Sequence, residues 1–169
     1  MMTALAAGDW PATLRLLVPP TQTLPEVLAW EEAALHAVDA DPSAAALILW
    51  EATVPAIVVG RSNVIAREVN VPACAADGIA VHRRSSGGGT VVVGPGCLCY
   101  ALVLPITHVD RTAGIPAVTR AVMERIASAL QPLVKEPVAV QGISDVTIGG
   151  QKCSGNAQRW LRQALLHHG

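Results

Sequence analysis

The residues best suited to chemistry stand together in His82-Arg83-Arg84-Ser85-Ser86-Gly87-Gly88-Gly89-Thr90-Val91-Val92-Val93. Two arginines and two serines run into three glycines, and an apolar run follows. Guanidinium forks match phosphate or carboxylate geometry. Successive backbone N–H groups in a glycine turn form a concavity that binds anions. The segment therefore reads as an anion site, with a solvated turn carrying two surface arginines as the competing reading. Ile79-Ala80-Val81 before it and Val91-Val92-Val93 after it are short and β-branched, so each predicts a strand, and the glycines are expected to join them as a hairpin. No Gly-Lys-Ser/Thr and no helix follow, which excludes a P-loop. The dinucleotide fingerprint would need a helix opening after the third glycine.

A second group surrounds Lys152. The chain has two lysines, Lys135 and Lys152, against ten arginines. Lys135 precedes Glu136-Pro137 and reads as a solvated loop charge. Lys152 follows the Gly149-Gly150 turn and precedes Ser154-Gly155-Asn156. It is either a point charge for a phosphate or a surface residue. An amine beside an α-phosphate stabilises charge that grows as a carboxylate attacks it. Asp145, across the same predicted hairpin, could help hold a metal-bound nucleotide or could simply open a polar strand. Cys74, Cys97, Cys99 and Cys153 form no CxxC pair. Buried reduced thiols fit them better than a zinc site, and Cys97 and Cys99 share one face of a predicted strand.

The elements that must position these groups are legible in turn. Leu14 to Val18 predicts a strand. Thr23-Leu24-Pro25-Glu26 resembles a capping box with proline in the first turn. Leu24, Val27, Leu28, Ala34, Leu35 and Val38 then fall on one helical face, with Glu31 and Glu32 on the other. Ala46 to Trp50 and Ala56 to Val59 predict strands, the second ending at the turn Gly60-Arg61-Ser62-Asn63. Asn70 can cap a short helix through Ala76. Cys97 to Leu104 predicts a strand, and Ile115, Val118, Val122, Ile126, Ala129 and Leu133 mark a second helix covering a sheet. Val138 to Val140, Asp145 to Ile148 and Gln151 to Ser154 predict strands, the last two joined by a two-residue turn. A final strand begins near Ala164. This order predicts an α+β fold: a central mixed, mostly antiparallel sheet flanked by helices.

Composition sets the outer bounds. A chain of 169 residues is expected to form one domain with a proper core. With 51% apolar and 15% charged residues it is globular, not disordered. Twelve basic and 13 acidic side chains leave a net charge of -1, which argues against a nucleic-acid surface. No apolar run reaches the length of a membrane span. Met1 to Leu17 lacks a signal-peptide pattern, so a cytoplasmic protein is expected.

Arg83 to Thr90 resembles the arginine-arginine-x-serine-glycine-glycine-glycine segment of the lipoate–protein ligase A family, within the biotin/lipoate A/B protein ligase superfamily. Gly60-Arg61-Ser62-Asn63, Ser144-Asp145-Val146, Gln151 to Gln158 and His167-His168-Gly169 resemble further motifs of that family, in order and with fitting spacing. The likeness covers roughly residues 14 to 169. It implies the fold of the biotin/lipoate ligase catalytic domain. It also implies that lipoate or octanoate attacks the α-phosphate of ATP, with Mg²⁺, to give an acyl adenylate. A lysine of a lipoyl acceptor domain, on a 2-oxoacid dehydrogenase E2 or a glycine cleavage H protein, then takes the acyl group. Carried over by position, Lys152 would be catalytic, contacting the activated carboxyl and phosphate. Arg83, Arg84, Ser86, Gly87, Gly88, Gly89, Thr90, Val91, Val92, Asp145, Ala157 and His168 would form the ATP and lipoyl-adenylate site. No protein metal site, nucleic acid or membrane is implied.

The chain departs from the family pattern in three places. Val93 stands where histidine is frequent, Cys99 where asparagine is, and Gly94-Pro95-Gly96 replaces an aspartate-glycine turn. The family also continues His-His-Gly into a longer strand, so residues 1–169 are expected to be a single catalytic domain truncated at its C-terminus. Two alternatives follow. An octanoyltransferase would use an acyl thioester and a nucleophilic cysteine. The stretch Glu136 to Ser144, where one transferase branch carries that nucleophile, has no cysteine. Cys153 is expected to face the core and Cys99 to line the pocket. The other alternative is a non-catalytic binding remnant.

Overall fold

The computed structural model describes residues 10–20, 23–106, 114–142 and 144–169. Much of the leader reading of Met1 to Leu17 lies outside them. In chain order the elements are β1 (Arg15–Leu17), α1 (Leu24–Ala40), β2 (Ala46–Glu51), β3 (Ala56–Val59), α2 (Ile65–Glu68), α3 (Val71–Ala76), β4 (Ala80–Arg83), β5 (Val91–Val93), β6 (Leu98–Pro105), α4 (Gly114–Leu130), β7 (Val138–Gln141), β8 (Asp145–Ile148), β9 (Gln151–Gly155), β10 (Ala157–Trp160) and β11 (Ala164–His168). The architecture is α+β, with mixed and mostly antiparallel pairing, as the sequence predicts. Among the described residues no helix is long and apolar enough to cross a membrane.

The main sheet has the order β1-β2-β6-β11-β10. Only β1 and β2 run parallel in it. Strand β6 is apolar almost throughout because both of its faces are covered. Ala101 and Val103 pack with α1 residues Val27, Leu35 and Val38. Leu102 and Leu104, pointing the other way, pack with Val118 and Val122 of α4. Helix α1 begins after Thr23, whose hydroxyl meets the Glu26 carboxylate, with Pro25 in its first turn.

The polar face of α1 needs correction. Glu31 is buried, along with Leu24, Val27, Leu35 and Val38. It lies four residues from both Val27 and Leu35, so it shares their stripe, and its charge disguised that placement. Helix α4 also turns slightly from expectation. Met123 and Ala127 join Val118 and Val122 inside, while Ile115 and Leu133 are exposed. Leu133 falls in a short 3₁₀ turn after the helix, where a 3.6-residue period no longer applies.

The expected glycine hairpin is not a hairpin. The second sheet has the order β4-β3-β5, with β4 parallel and β5 antiparallel to β3. Residues 84–90 therefore arch over the C-terminal end of β3 and come down on its far side. Two strand spacings are roughly 10 Å, well within reach of seven residues. Turn residues report that the chain reverses, not which strand it reverses beside.

The third sheet, β7-β8-β9, is antiparallel and is backed by α4. Gly149 and Gly150 make the tight β8–β9 turn with φ of 58° and 82°. A bulge at Val146/Thr147 moves the register from Thr147–Lys152 to Val146–Ser154. Cys153 is the extra residue there. It is exposed, not core-facing as expected, because a bulge breaks the alternation of side chains.

Candidate active site at the glycine loop

The loop over β3 is built around Arg84. This side chain is only 7% exposed, and its guanidinium faces inward. Nη2 donates to the carbonyls of Gly87 and Gly89, each at 2.7 Å, and Nη1 donates to that of Val58 at 3.2 Å. Nε donates to Ser86 Oγ at 3.0 Å. Burial lowers the Arg84 pKa from its ordinary value, opposed by Glu31 and Glu68; a guanidinium starting so high stays charged. Because the loop carbonyls turn toward Arg84, the loop amides turn away. Among the described residues, the N–H groups of Gly87, Gly88 and Gly89 find no acceptor. A row of free amides around a buried cation is able to receive an anion. Gly88 sits at φ 86°, a conformation open to glycine at no steric cost.

The turn at Gly60 is the floor of this loop. Arg83 Nη1 donates to the carbonyls of Gly60, Arg61 and Asn63, at 2.7, 3.1 and 3.0 Å. The Arg61 N–H in turn reaches the Ser86 carbonyl at 2.8 Å. Glu68 of α2 accepts from Asn63 and from the Thr90 hydroxyl. These bonds hold its carboxyl below the usual range, Thr90 first and Asn63 second. Arg83 and Arg84 thus shape the loop with their side chains.

The loop is also tied to the main sheet through buried polar groups. Ser86 Oγ lies 2.6 Å from His168 Nε2, and His168 Nδ1 lies 2.6 Å from Glu31 Oε2. Ser86, His168 and Glu31 are all buried. The next residue of α1, Glu32, receives the Ser85 hydroxyl and pairs with Arg159 of β10. Burial raises the Glu32 carboxyl, but Ser85, Arg159 and His36 together outweigh it and hold the pKa below its ordinary value. Ala157 of β10 comes within ordinary contact distance of the space beside Gly88.

The remaining candidates stand on strands β5, β6, β8 and β9. Lys152 Nζ is 2.9 Å from Asp145 Oδ2, and both side chains are substantially exposed. The lysine lies over Gly155, which leads directly through Asn156 into β10 and Ala157. Val91 and Val92 are exposed on β5, at one edge of the second sheet. Cys99 is buried in the α1 core, and burial, then Cys97 and Glu31, push its thiol up to about 12. Among the described residues no group of three His, Cys, Asp or Glu could hold a metal ion.

Glu31, Glu32, Arg159 and the close approach at Gly60 escaped the sequence reading. Glu31 left one usable signal, a carboxylate at the i+4 position of an apolar stripe. Glu32 and Arg159 left none, because their partners are distant in the chain; Gly60 was marked as part of a turn and a family-like motif, but the approach of Gly88 to it was not.

Comparison with known proteins sets this geometry in context. The family model of the lipoyl protein ligase A/B catalytic domain matches residues 24–169. The probable lipoate-protein ligase A of Mycoplasma pneumoniae is 33% identical over 113 residues, 67% of this chain and 32% of that protein. The chain therefore spans less than a third of that curated relative. Among solved structures, a bi-partite lipoate protein ligase from Thermoplasma acidophilum, analysed with its E2 lipoyl domain, superposes with a TM-score of 0.78. Identity there is 24%, over 92% of this chain and 59% of the other. A lipoate-protein ligase A bound with ATP gives a TM-score of 0.75 at 23% identity, over 92% and 64% of the two chains. At such identities the likeness carries the fold.

Proposed function

This chain belongs to the lipoyl protein ligase A/B catalytic-domain family, and we propose that it is an ATP-dependent lipoate–protein ligase. The single observation that carries this reading is the glycine loop, with its carbonyls gathered on Arg84 and its amides left free. That is a cradle for the phosphate of a nucleotide or an acyl adenylate. The ATP bound by one structural neighbour and the E2 lipoyl domain analysed with another support the same substrate and partner.

The proposed reaction has two steps. A carboxylate oxygen of lipoate or octanoate attacks the α-phosphorus of ATP, the α–β phosphoanhydride bond breaks, and pyrophosphate leaves. The ε-amine of a lysine on a lipoyl acceptor domain then attacks the acyl carbon. AMP leaves with the anhydride oxygen, the amine loses a proton to solvent, and an amide remains. Gly87, Gly88, Gly89 and Thr90 would receive the phosphate, and Ser86, Ala157 and His168 would border the acyl carboxyl. Val91 and Val92 would line the entry of the chain. Lys152 would leave Asp145 and turn to the growing negative charge. Mg²⁺ would enter on the ATP phosphates, with Asp145 as its nearest carboxylate, since the described residues offer no cluster of three metal-binding groups.

The test is direct. The full chain, given ATP, Mg²⁺ and octanoate or lipoate, should release pyrophosphate and form an acyl adenylate seen by mass. An apo lipoyl domain should then gain the acyl mass. No pyrophosphate release with either acid would end the reading.

A further inference from the structure

We infer that Glu31 is a positioning residue for the glycine loop, acting through His168 to fix the Ser86 hydroxyl. The inference rests on the ligase reading for what the loop binds, and on geometry for the rest.

The three groups can share hydrogens in only one direction. An ionised carboxylate accepts and cannot donate, so the His168 nitrogen 2.6 Å from Glu31 carries its hydrogen on Nδ1. In a neutral imidazole the other nitrogen then accepts. The Ser86 hydroxyl, 2.6 Å away, therefore donates to Nε2. That leaves the Oγ lone pairs for the Nε–H of Arg84 at 3.0 Å. Each atom along the path from Arg84 Nε through Ser86 Oγ and the two His168 nitrogens to Glu31 Oε2 then has a partner. The reverse direction fails at both ends. It sets an imidazole lone pair against the carboxylate, and it sends the Ser86 hydrogen toward the Gly87 carbonyl, 3.5 Å away. With hydrogens on both ring nitrogens, the Ser86 hydrogen would have only that distant carbonyl, a poorer acceptor than Nε2.

The arrangement joins parts that the backbone does not. Glu31 is on α1 and His168 on β11, both of the main sheet's layer, while Ser86 belongs to the loop over the second sheet. Among the described residues no strand pairing links the two sheets. A buried carboxylate is costly unless it is paired and hydrogen-bonded. Here the pairing sets where the loop stands relative to Ala157 and His168. Placement at the scale of one ångström matters for a reacting centre. The neighbouring Glu32–Ser85 contact braces the same loop from the next residue of α1.

The experiment uses the full chain labelled with ¹⁵N-histidine. Long-range ¹H–¹⁵N spectra should report His168 as the neutral Nδ1–H tautomer. An Nε2–H tautomer or an imidazolium at neutral pH overturns the assignment without any variant being made. Glu31→Gln keeps the shape but can donate as well as accept, so it should dissolve the single tautomer and weaken a non-hydrolysable acyl-adenylate analogue about tenfold. Ser86→Ala should weaken it by a similar factor, and the double variant by no more than the worse single one, because both break one chain. Multiplying losses, or unchanged affinity in Glu31→Gln, overturn the positioning role alone. A wild type that holds the tautomer but binds no analogue overturns the ligase reading, and the role with it.

Discussion

The carbonyl oxygen of Gly88 lies 2.1 Å from the position that a β-carbon on Gly60 would occupy. No real β-carbon stands so close to an oxygen, so glycine at 60 is what lets the loop rest on the end of β3. Gly60→Ala must lift the loop. Overpacking of this kind costs about 1–3 kcal/mol. The acyl-adenylate affinity should fall at least about tenfold, which is that same scale. The melting temperature should drop by roughly 2–4 °C per kcal/mol lost. Calorimetry with a non-hydrolysable analogue and a thermal melt check both. Full affinity in this variant would remove the loop from the binding site.

The Gly60–Gly88 approach also marks where sequence reasoning ends. Strand and helix positions were legible because local patterns dictate them: the apolar run of β6, the Asn70 cap whose side chain accepts from Ala73 N–H, and the Gly149-Gly150 turn. The glycine loop was legible as a turn by residue type. Its path was not, because a turn signal carries no information about the strand being crossed. Glu31 was misplaced because charge was allowed to outweigh its i+4 spacing from Val27. The exposure of Cys153 was not legible, because a bulge is a property of two paired strands and one strand's sequence does not carry it.

Lys152 and Asp145 form an exposed pair at 2.9 Å. Such pairs contribute about 0–1 kcal/mol to stability, so Lys152→Ala and Asp145→Asn should both melt close to wild type. Their effects on chemistry should differ. Removing the amine should slow adenylate formation about 10²- to 10³-fold, as for other lost electrostatic donors. Asp145→Asn keeps the amine and should lose less. Pyrophosphate release is the readout, and a Lys152→Ala variant running at the wild-type rate would take this lysine out of the reaction.

Cys99 bears on the choice between ligase and transferase. Its thiol is buried and pushed up to about 12, so almost none is thiolate near neutral pH. It should neither form an acyl thioester nor react readily with iodoacetamide. Octanoyl or lipoyl transfer to an apo lipoyl domain should therefore survive Cys99→Ala, and on the ligase reading it should require ATP. The contrary result is specific: transfer from an acyl thioester without ATP, lost in Cys99→Ala and kept in Lys152→Ala.

His167 gives the fold a definite acid sensitivity. Its ring is fully buried, stacks on Tyr100 with centroids 6.1 Å apart, and accepts at Nδ1 from Gln158 Nε2 at 2.8 Å. Nε2, which then carries the ring's one hydrogen, has no hydrogen-bond partner among the described residues, and a second proton on Nδ1 would face the Gln158 amide donor in a buried site. Burial first, and His168 second, lower its pKa to about 3 from the ordinary 6.5. In the unfolded chain the ring titrates near 6.5. Between these values the unfolded state binds a proton that the folded state refuses, so stability rises with pH across that window. The contribution is complete above about pH 6.5 and is lost as pH falls toward 3, by up to about 1.4 kcal/mol per pH unit. Glu32, held below the ordinary carboxylate value, acts only lower in that range. Urea midpoints at pH 7, 6 and 5 should therefore fall steadily in the wild type. His167→Gln should start lower, having lost the stacking and the Gln158 bond, but follow a flatter line. Parallel lines for the two proteins over pH 5 to 7 would show that His167 is not the group responsible.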